Sequence, residues 1–180
     1  MPASSPLEVP RASPSTSWDG RCWRLSTLVR NIRLAEAKDI PAILDVCRKH
    51  HESVPFGIVP FSGKKVAKIL SDAVSGDRTK ACLFVSTDGN IIVGAFLAAV
   101  AEVSFSEEPI ATELAFWVLP GYRRSRRVLD LVAAYEYWAK EIAKTRFILL
   151  SKTPTEDVTE RSYKRLGYTS IEQNYLKKIR

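Results

Sequence analysis

The 180-residue sequence predicts an α/β (α+β) domain behind an N-terminal arm, with element order β-α-α-β-β-β-α-β-α-β. Three observations predict it. Val128, Leu131, Val132, Tyr135, Ala139 and Ile142 recur at helical spacing and form one buried stripe. Two apolar runs flank Asp88-Gly89, a strong hairpin signal. Between them and the helix, Leu114–Tyr137 passes from an apolar strand through Pro120-Gly121 and four arginines, Arg123, Arg124, Arg126 and Arg127.

Residues 1–27 read as a flexible arm. Pro2, Pro6, Pro10 and Pro14 alternate with serines, and no apolar periodicity is present to offset the entropy of ordering. The segment lacks the continuous apolar core of a secretory signal. Its serines and arginines suit an organelle transit peptide better, but no amphipathic helix can be drawn through four spaced prolines. Trp18 and Trp23 are candidate anchors on a partner or on the domain.

The domain, residues 28–180, opens with Leu28–Leu34 as a strand. Asp39 reads as a helix N-cap, with Pro41 in the first turn and Ile43, Leu44, Val46 and Cys47 inward, as far as His50. His50 and His51 point to different faces of one helix, so they read as a solvated terminus rather than a metal pair. Pro55–Phe61 is a loop that either lines a substrate mouth or packs. Ser62 caps a second helix to about Val74, with Val66, Ile69, Leu70 and Ala73 on its apolar side. Ala81–Ser86, Ile91–Val103 and Ile110–Val118 are strands, the last two joined through Ser106–Pro109. After the long helix come a short buried strand at Phe147–Leu150 and a helix over Asp157–Leu166 closed by Gly167. A final strand is expected at Tyr168–Lys178.

Composition narrows the function. A formal charge of +7 favours acidic partners: nucleic acid, an anionic surface or a polyphosphate ligand. No apolar run approaches the roughly 18 residues of a membrane span. The three cysteines, Cys22, Cys47 and Cys82, are scattered and show no paired metal-ligand spacing. Reduced core cysteines imply a cytoplasmic setting and no metal. The strand, basic turn and helix N-terminus make an anion site, because the first helical N–H groups are unpaired, the helix dipole is positive there, and arginines add bidentate donors.

Two motifs carry a family resemblance. Val118-Leu119-Pro120-Gly121-Tyr122-Arg123 is similar to the strand-end signature of the GNAT superfamily of acyl-CoA-dependent N-acetyltransferases. Ser162-Tyr163-Lys164-Arg165-Leu166-Gly167-Tyr168 resembles that family's C-terminal tyrosine–leucine–glycine–aromatic run. The likeness covers Leu28 to the end. It implies a central mixed, mostly antiparallel sheet flanked by helices, and acetyl-CoA as co-substrate with an amine acceptor, protein or small molecule. One departure is plain: where the family has small residues in the pyrophosphate turn, this chain has Arg126 and Val128. Some phage-borne members have a similarly glycine-poor, arginine-bearing turn.

The resemblance assigns candidate roles. Tyr163 would be the acid that protonates the leaving sulfur. Main-chain groups of Phe116 and Val118 would hold the pantetheine arm, and Arg123, Arg124, Ser125, Arg126 and Val128 would surround the pyrophosphate. Glu113, an acid in an otherwise apolar strand, is the candidate base, since burial would raise its pKa towards neutrality. Glu102 on the neighbouring strand is the runner-up. Two rival readings stand beside the enzyme. One is a catalytically weak scaffold of this fold that binds a protein partner, a second copy of the chain included. The other is a nucleic-acid binder using Arg123–Arg127, although Tyr122 alone is a thin stacking platform. If the arm is separate from the core, a chain starting at Arg21 will melt within a few degrees of the full chain. A drop of more than about ten degrees, well over 1 kcal/mol for a domain of this size, would make the arm part of the core or of an oligomer interface.

Overall fold

In the computed structural model the described residues are 31–123, 125–151, 157–172, 176–177 and 179. The arm, Arg124 and Cys22 therefore lie outside them. The elements are β1 (Ile32–Leu34), α1 (Ile40–Ser53), α2 (Gly63–Ser75), β2 (Ala81–Asp88), β3 (Ile91–Val103), β4 (Ser106–Val118), α3 (Arg127–Glu141), β5 (Phe147–Leu149) and α4 (Asp157–Arg165). They build a mixed α+β fold around a five-stranded sheet of order β1-β2-β3-β4-β5. Every neighbouring pair is antiparallel except β4 and β5, which run parallel.

Alternation along the strands divides the core in two. Cys82 and Phe84 of β2 and Phe96 and Ala98 of β3 face α3, where Leu131, Val132, Tyr135 and Trp138 are buried. Leu83, Val85, Ala95 and Leu97 face the other way, onto Ile43 of α1 and Leu70 and Ala73 of α2. Strand period fixes this sorting, since successive side chains point to opposite faces. The expected α3 stripe is present, with Val128 and Ile142 half-buried at its ends and Ala134 and Trp138 added to its centre. Trp138 donates its indole N–H to Arg78 O at 2.6 Å, which ties α3 to the loop entering β2.

Several sequence expectations need correction. No described residue beyond Arg165 lies in a strand, so the final strand at Tyr168–Lys178 is not observed. Its first residue is drawn inward instead: the Tyr168 hydroxyl donates to Glu136 of α3 at 2.9 Å, while Ile171, Leu176 and Ile179 are exposed and have no face to bury. Residues 106–109 begin β4 rather than connecting two strands, and the turn falls at Ser104-Phe105. In the other hairpin Asp88 pairs with Ile91, so the loop is Gly89-Asn90, with Gly89 at φ 57°. A glycine at the first central position of a two-residue loop accepts that dihedral without steric cost. Phe147 is half exposed because, among the described residues, only β4 flanks β5, and Ile69 points partly to solvent. Helix α1 runs past His50 to Ser53, and Phe61 packs on it, beneath Arg48 (4.9 Å) and beside His51 (5.3 Å).

Asp39 occupies the expected N-cap position, but its carboxylate does other work. It accepts Arg33 Nη1 at 2.6 Å, Arg33 Nη2 at 3.0 Å and the Glu36 N–H at 2.8 Å, clamping β1 to the chain entering α1. The Arg33 hydrogen bonds hold its pKa below the usual carboxylate value. A depressed folded-state pKa stabilises the fold above the unfolded value, and that stability is lost as pH falls through the folded one. Thermal melts between pH 7 and pH 3 should therefore fall more steeply for the natural chain than for Asp39→Asn. At pH 7 the substitution should cost about 1–3 kcal/mol. Parallel pH profiles would show that the clamp contributes nothing.

Candidate active site

The site forms where β4 and β5 part. They pair over three positions, Ile110 with Phe147, Ala111 with Ile148 and Thr112 with Leu149. From Glu113 to Val118, β4 continues with no strand on that side among the described residues. A bulge helps to turn it away: Leu97 opposes Ala115 while Ala98 opposes Glu113, leaving Leu114 extra. A bulge bends its strand and strengthens the local twist. It also resets parity, so Ala111 before it and Phe116 and Val118 after it all reach the α3 core. The resulting edge presents main-chain donors and acceptors to an extended ligand, as an exposed strand edge does to an added strand.

Two side chains mark the fork. Tyr135, fully buried on α3, donates its hydroxyl to Ala111 O at 2.7 Å and lies 3.1 Å from Leu149 O, bridging the strands at their last paired level. Burial is the main cause that pushes its pKa up, so the phenol stays protonated. Just beyond, Glu113 Oε2 accepts the Ser151 N–H at 3.0 Å. The carboxylate of the candidate base is thus held across the opening, half-buried. Glu102 is not brought there. It is the exposed residue of a second bulge, between Ala101 and Val103, out towards the β3–β4 turn.

At the other end of the open edge, Pro120–Tyr122 form a single 3-10 turn leading into α3. Ser125 braces it, donating its hydroxyl to Tyr122 O at 2.6 Å and accepting the Arg127 N–H at 3.3 Å. Val128 packs its side chain into the core, so its branched carbons stay off the outer face of the first helical turn. Arg123 donates Nε to Val118 O at 3.0 Å, which occupies that carbonyl. Arg126 stands with its side chain 83% exposed, paired at 3.1 Å with the buried carboxylate of Asp130. Opposite Val118, Gly94 allows a close approach: a Cβ there would meet Trp117 O and Val118 Cγ2 at 3.1 Å and Leu131 Cδ1 at 3.2 Å.

Tyr163 is buried on α4 within the core that also receives Phe116, Val118 and Leu131. Its ring tilts against Tyr168 at 5.7 Å, and the Tyr168–Glu136 hydrogen bond anchors this corner on α3. Burial first and Glu136 second push the Tyr168 pKa up, leaving it a hydrogen-bond donor. The structure thus gathers Phe116, Val118 and Tyr163 in one core, with Glu113 at the fork and Arg123, Ser125, Arg126 and Val128 on the turn. Arg124 lies outside the described residues. Sequence reasoning missed Tyr135, Asp88 and Glu136. Tyr135 was indistinguishable from any core residue of the helical stripe, and Asp88 read as a turn residue alone. Cys47 and Cys82 are free thiols whose pKa burial raises. No group of three metal-ligating side chains converges among the described residues, and no described helix is long and apolar enough to cross a membrane.

By sequence, no family model and no curated protein matches the chain. By structure it is similar to the aminoglycoside N-acetyltransferase AAC(6')-Iy in complex with CoA, at TM-score 0.61 and 14% identity, over 83% of this chain and 98% of that one. A predicted acetyltransferase from Clostridium acetobutylicum, solved with acetyl-CoA, matches at TM-score 0.65 and 15% identity, over 83% and 96%. An aminoglycoside acetyltransferase from an uncultured soil metagenomic sample, in complex with sisomicin, matches at 0.59 and 17%, over 87% and 99%. The expected architecture is therefore met at nearly the full length of these proteins: the chain shares their fold.

Proposed function

We propose that the chain is an acetyl-CoA-dependent N-acetyltransferase acting on an amine, with the β4–β5 fork as its reaction site. One observation carries the reading. The open edge of β4 runs about 17 Å at the strand rise from Glu113 to Val118, with a carboxylate at one end and the arginine turn at the other. An extended amide-bearing arm with phosphates at one end fits that arrangement. The neighbours solved with CoA or acetyl-CoA support the same ligand.

Bound acetyl-CoA would supply the acetyl thioester. Main-chain groups of Phe116 and its neighbours hold the arm, and Arg123, Arg124, Ser125, Arg126 and Val128 receive the pyrophosphate. Glu113 takes the proton from the attacking amine, directly or through a water, with its carboxylate oriented by the Ser151 N–H. The new bond joins nitrogen to the acetyl carbon, and the carbon–sulfur bond breaks. Tyr163 gives its hydroxyl proton to the departing sulfur. Its ring lies in the core that also receives Phe116 and Val118, beside the open edge of β4. The acceptor is an amine, protein or small molecule; the aminoglycosides named for two neighbours are one class to try.

A second reading is a binding module on the same fold. It draws on Arg126, whose Cβ narrows the turn where a small residue would let a pyrophosphate approach. Calorimetry separates the two readings. The natural chain should bind acetyl-CoA, and replacing Arg123 and Arg124 together with alanine should weaken binding by about 1.5–3 kcal/mol per charged hydrogen bond lost. No heat at millimolar acetyl-CoA would remove the enzyme. Tyr163→Phe should lower turnover roughly 10²–10⁴-fold with CoA affinity unchanged. Glu113→Gln should slow the reaction most at neutral pH and less at high pH, where the acceptor amine is already deprotonated. Undiminished turnover in either variant would take that residue out of the mechanism.

A further inference from the structure

The four arginines of the turn do not share one role. Arg127 is the odd one out: its side chain is 15% exposed, whereas that of Arg126 is 83% exposed. It opens α3 and turns back onto the end of β2, 39 to 41 residues earlier in the chain. Nη1 donates to Thr87 O and, at 3.3 Å, to Ser86 Oγ; Nη2 donates to Asp88 Oδ1 at 3.0 Å. The guanidinium also lies 5.2 Å from the Tyr122 ring centroid. Asp88 completes the circuit, because its other oxygen, Oδ2, accepts the Tyr122 hydroxyl at 2.8 Å. One carboxylate on the β2–β3 hairpin therefore holds both ends of the turn: Tyr122 in its 3-10 segment and Arg127 at the first position of the helix. The register shift between Ser86 and Thr87 falls at this point of β2.

We infer that Asp88, Tyr122 and Arg127 form a latch that positions the Pro120–Val128 turn for phosphate, and that Arg127 is a positioning residue rather than a phosphate ligand. The inference rests on the acetyl-CoA reading above. Its physical basis is that Arg126 and Val128 crowd the turn where smaller residues would leave the backbone open, so its N–H groups serve an anion only while the turn is held in one shape. Hydrogen bonds to a charged carboxylate, one of them from a stacked guanidinium, supply that hold from outside the turn. The latch also spends one arginine's charge internally, leaving Arg123, Arg124 and Arg126 to meet the ligand.

The sign of one substitution decides between the two roles. If Arg127 clamps phosphate, Asp88→Ala frees it from a competing anion and acetyl-CoA binds more tightly. If the latch holds, Asp88→Ala weakens binding. Tyr122→Phe, which changes no charge, should weaken it about threefold to tenfold, the worth of one hydrogen bond. Hydrogen exchange of the protein without ligand should show faster exchange at amides 121–128 in both variants, with melting of the rest of the domain little changed. Tighter binding in Asp88→Ala, or unchanged exchange at the turn in both variants, would overturn the latch. If the natural chain binds no acetyl-CoA, the functional reading falls, and the exchange experiment still decides whether the latch holds the turn.

Discussion

An unpaired strand edge is costly inside a protein, because each backbone N–H and C=O cut off from water must find a partner. In this fold β5 leaves β4 after Thr112, and the next six residues of β4 have no strand on that side among the described residues. Everything at the site answers to that opening. The bulge at Leu114 turns β4 aside, Tyr135 closes the last paired level from below, and Glu113 reaches across to Ser151. A ligand with amide groups along an extended arm satisfies such an edge where water otherwise would. The constraint that shapes the strand would also select the kind of molecule suited to it.

The turn at the end of β4 faces a related problem. Arg126 and Val128 stand where smaller residues would leave the backbone open, so the shape of the turn must come from contacts. Some are local, such as Ser125 on Tyr122 O. Others come from the neighbouring hairpin, through Asp88. Charge is divided in the same way: the tucked-in Arg127 and the half-exposed Asp88 neutralise each other, and Arg126 leans on Asp130 while projecting outward. The local density of arginines overstates the positive charge that the turn presents outward.

Much of this was legible in the sequence, for identifiable reasons. The α3 stripe and the β2–β3 hairpin follow from periodicity and one glycine, and both stand where their residues put them. The pairing of a strand-end proline turn with a distant tyrosine–leucine–glycine run pointed to the fold before any coordinate. The bulge was not legible, because no glycine or proline marks Leu114 and its cause is the pairing of two strands. The role of Asp88 was hidden likewise, since its partners lie 34 and 39 residues away. The last expected strand falls partly outside the described residues, at 173–175 and 178; in its described part Tyr168 is satisfied elsewhere, by a hydrogen bond to Glu136 and contact with Tyr163. Alternation describes a strand that has a neighbour, and a short β5 offers little of one.

The bulge also decides what a one-residue change of length does to this strand. Leu114 is the residue left over between the partners of Ala98 and Leu97, so deleting it would leave Glu113 opposite Ala98, Ala115 opposite Leu97 and Phe116 opposite Phe96 in plain alternation. Phe116 and Val118 would stay in the α3 core, and Trp117 would stay against α1 and α2. What would go is the bend, since a strand without its bulge twists less, and with it the turning of β4 away from β5. A residue added at Ser104-Phe105, at the solvent-exposed tip of the same hairpin, leaves that bend untouched. One residue at position 114 thus separates a sheet that is merely well packed from one that opens along an edge.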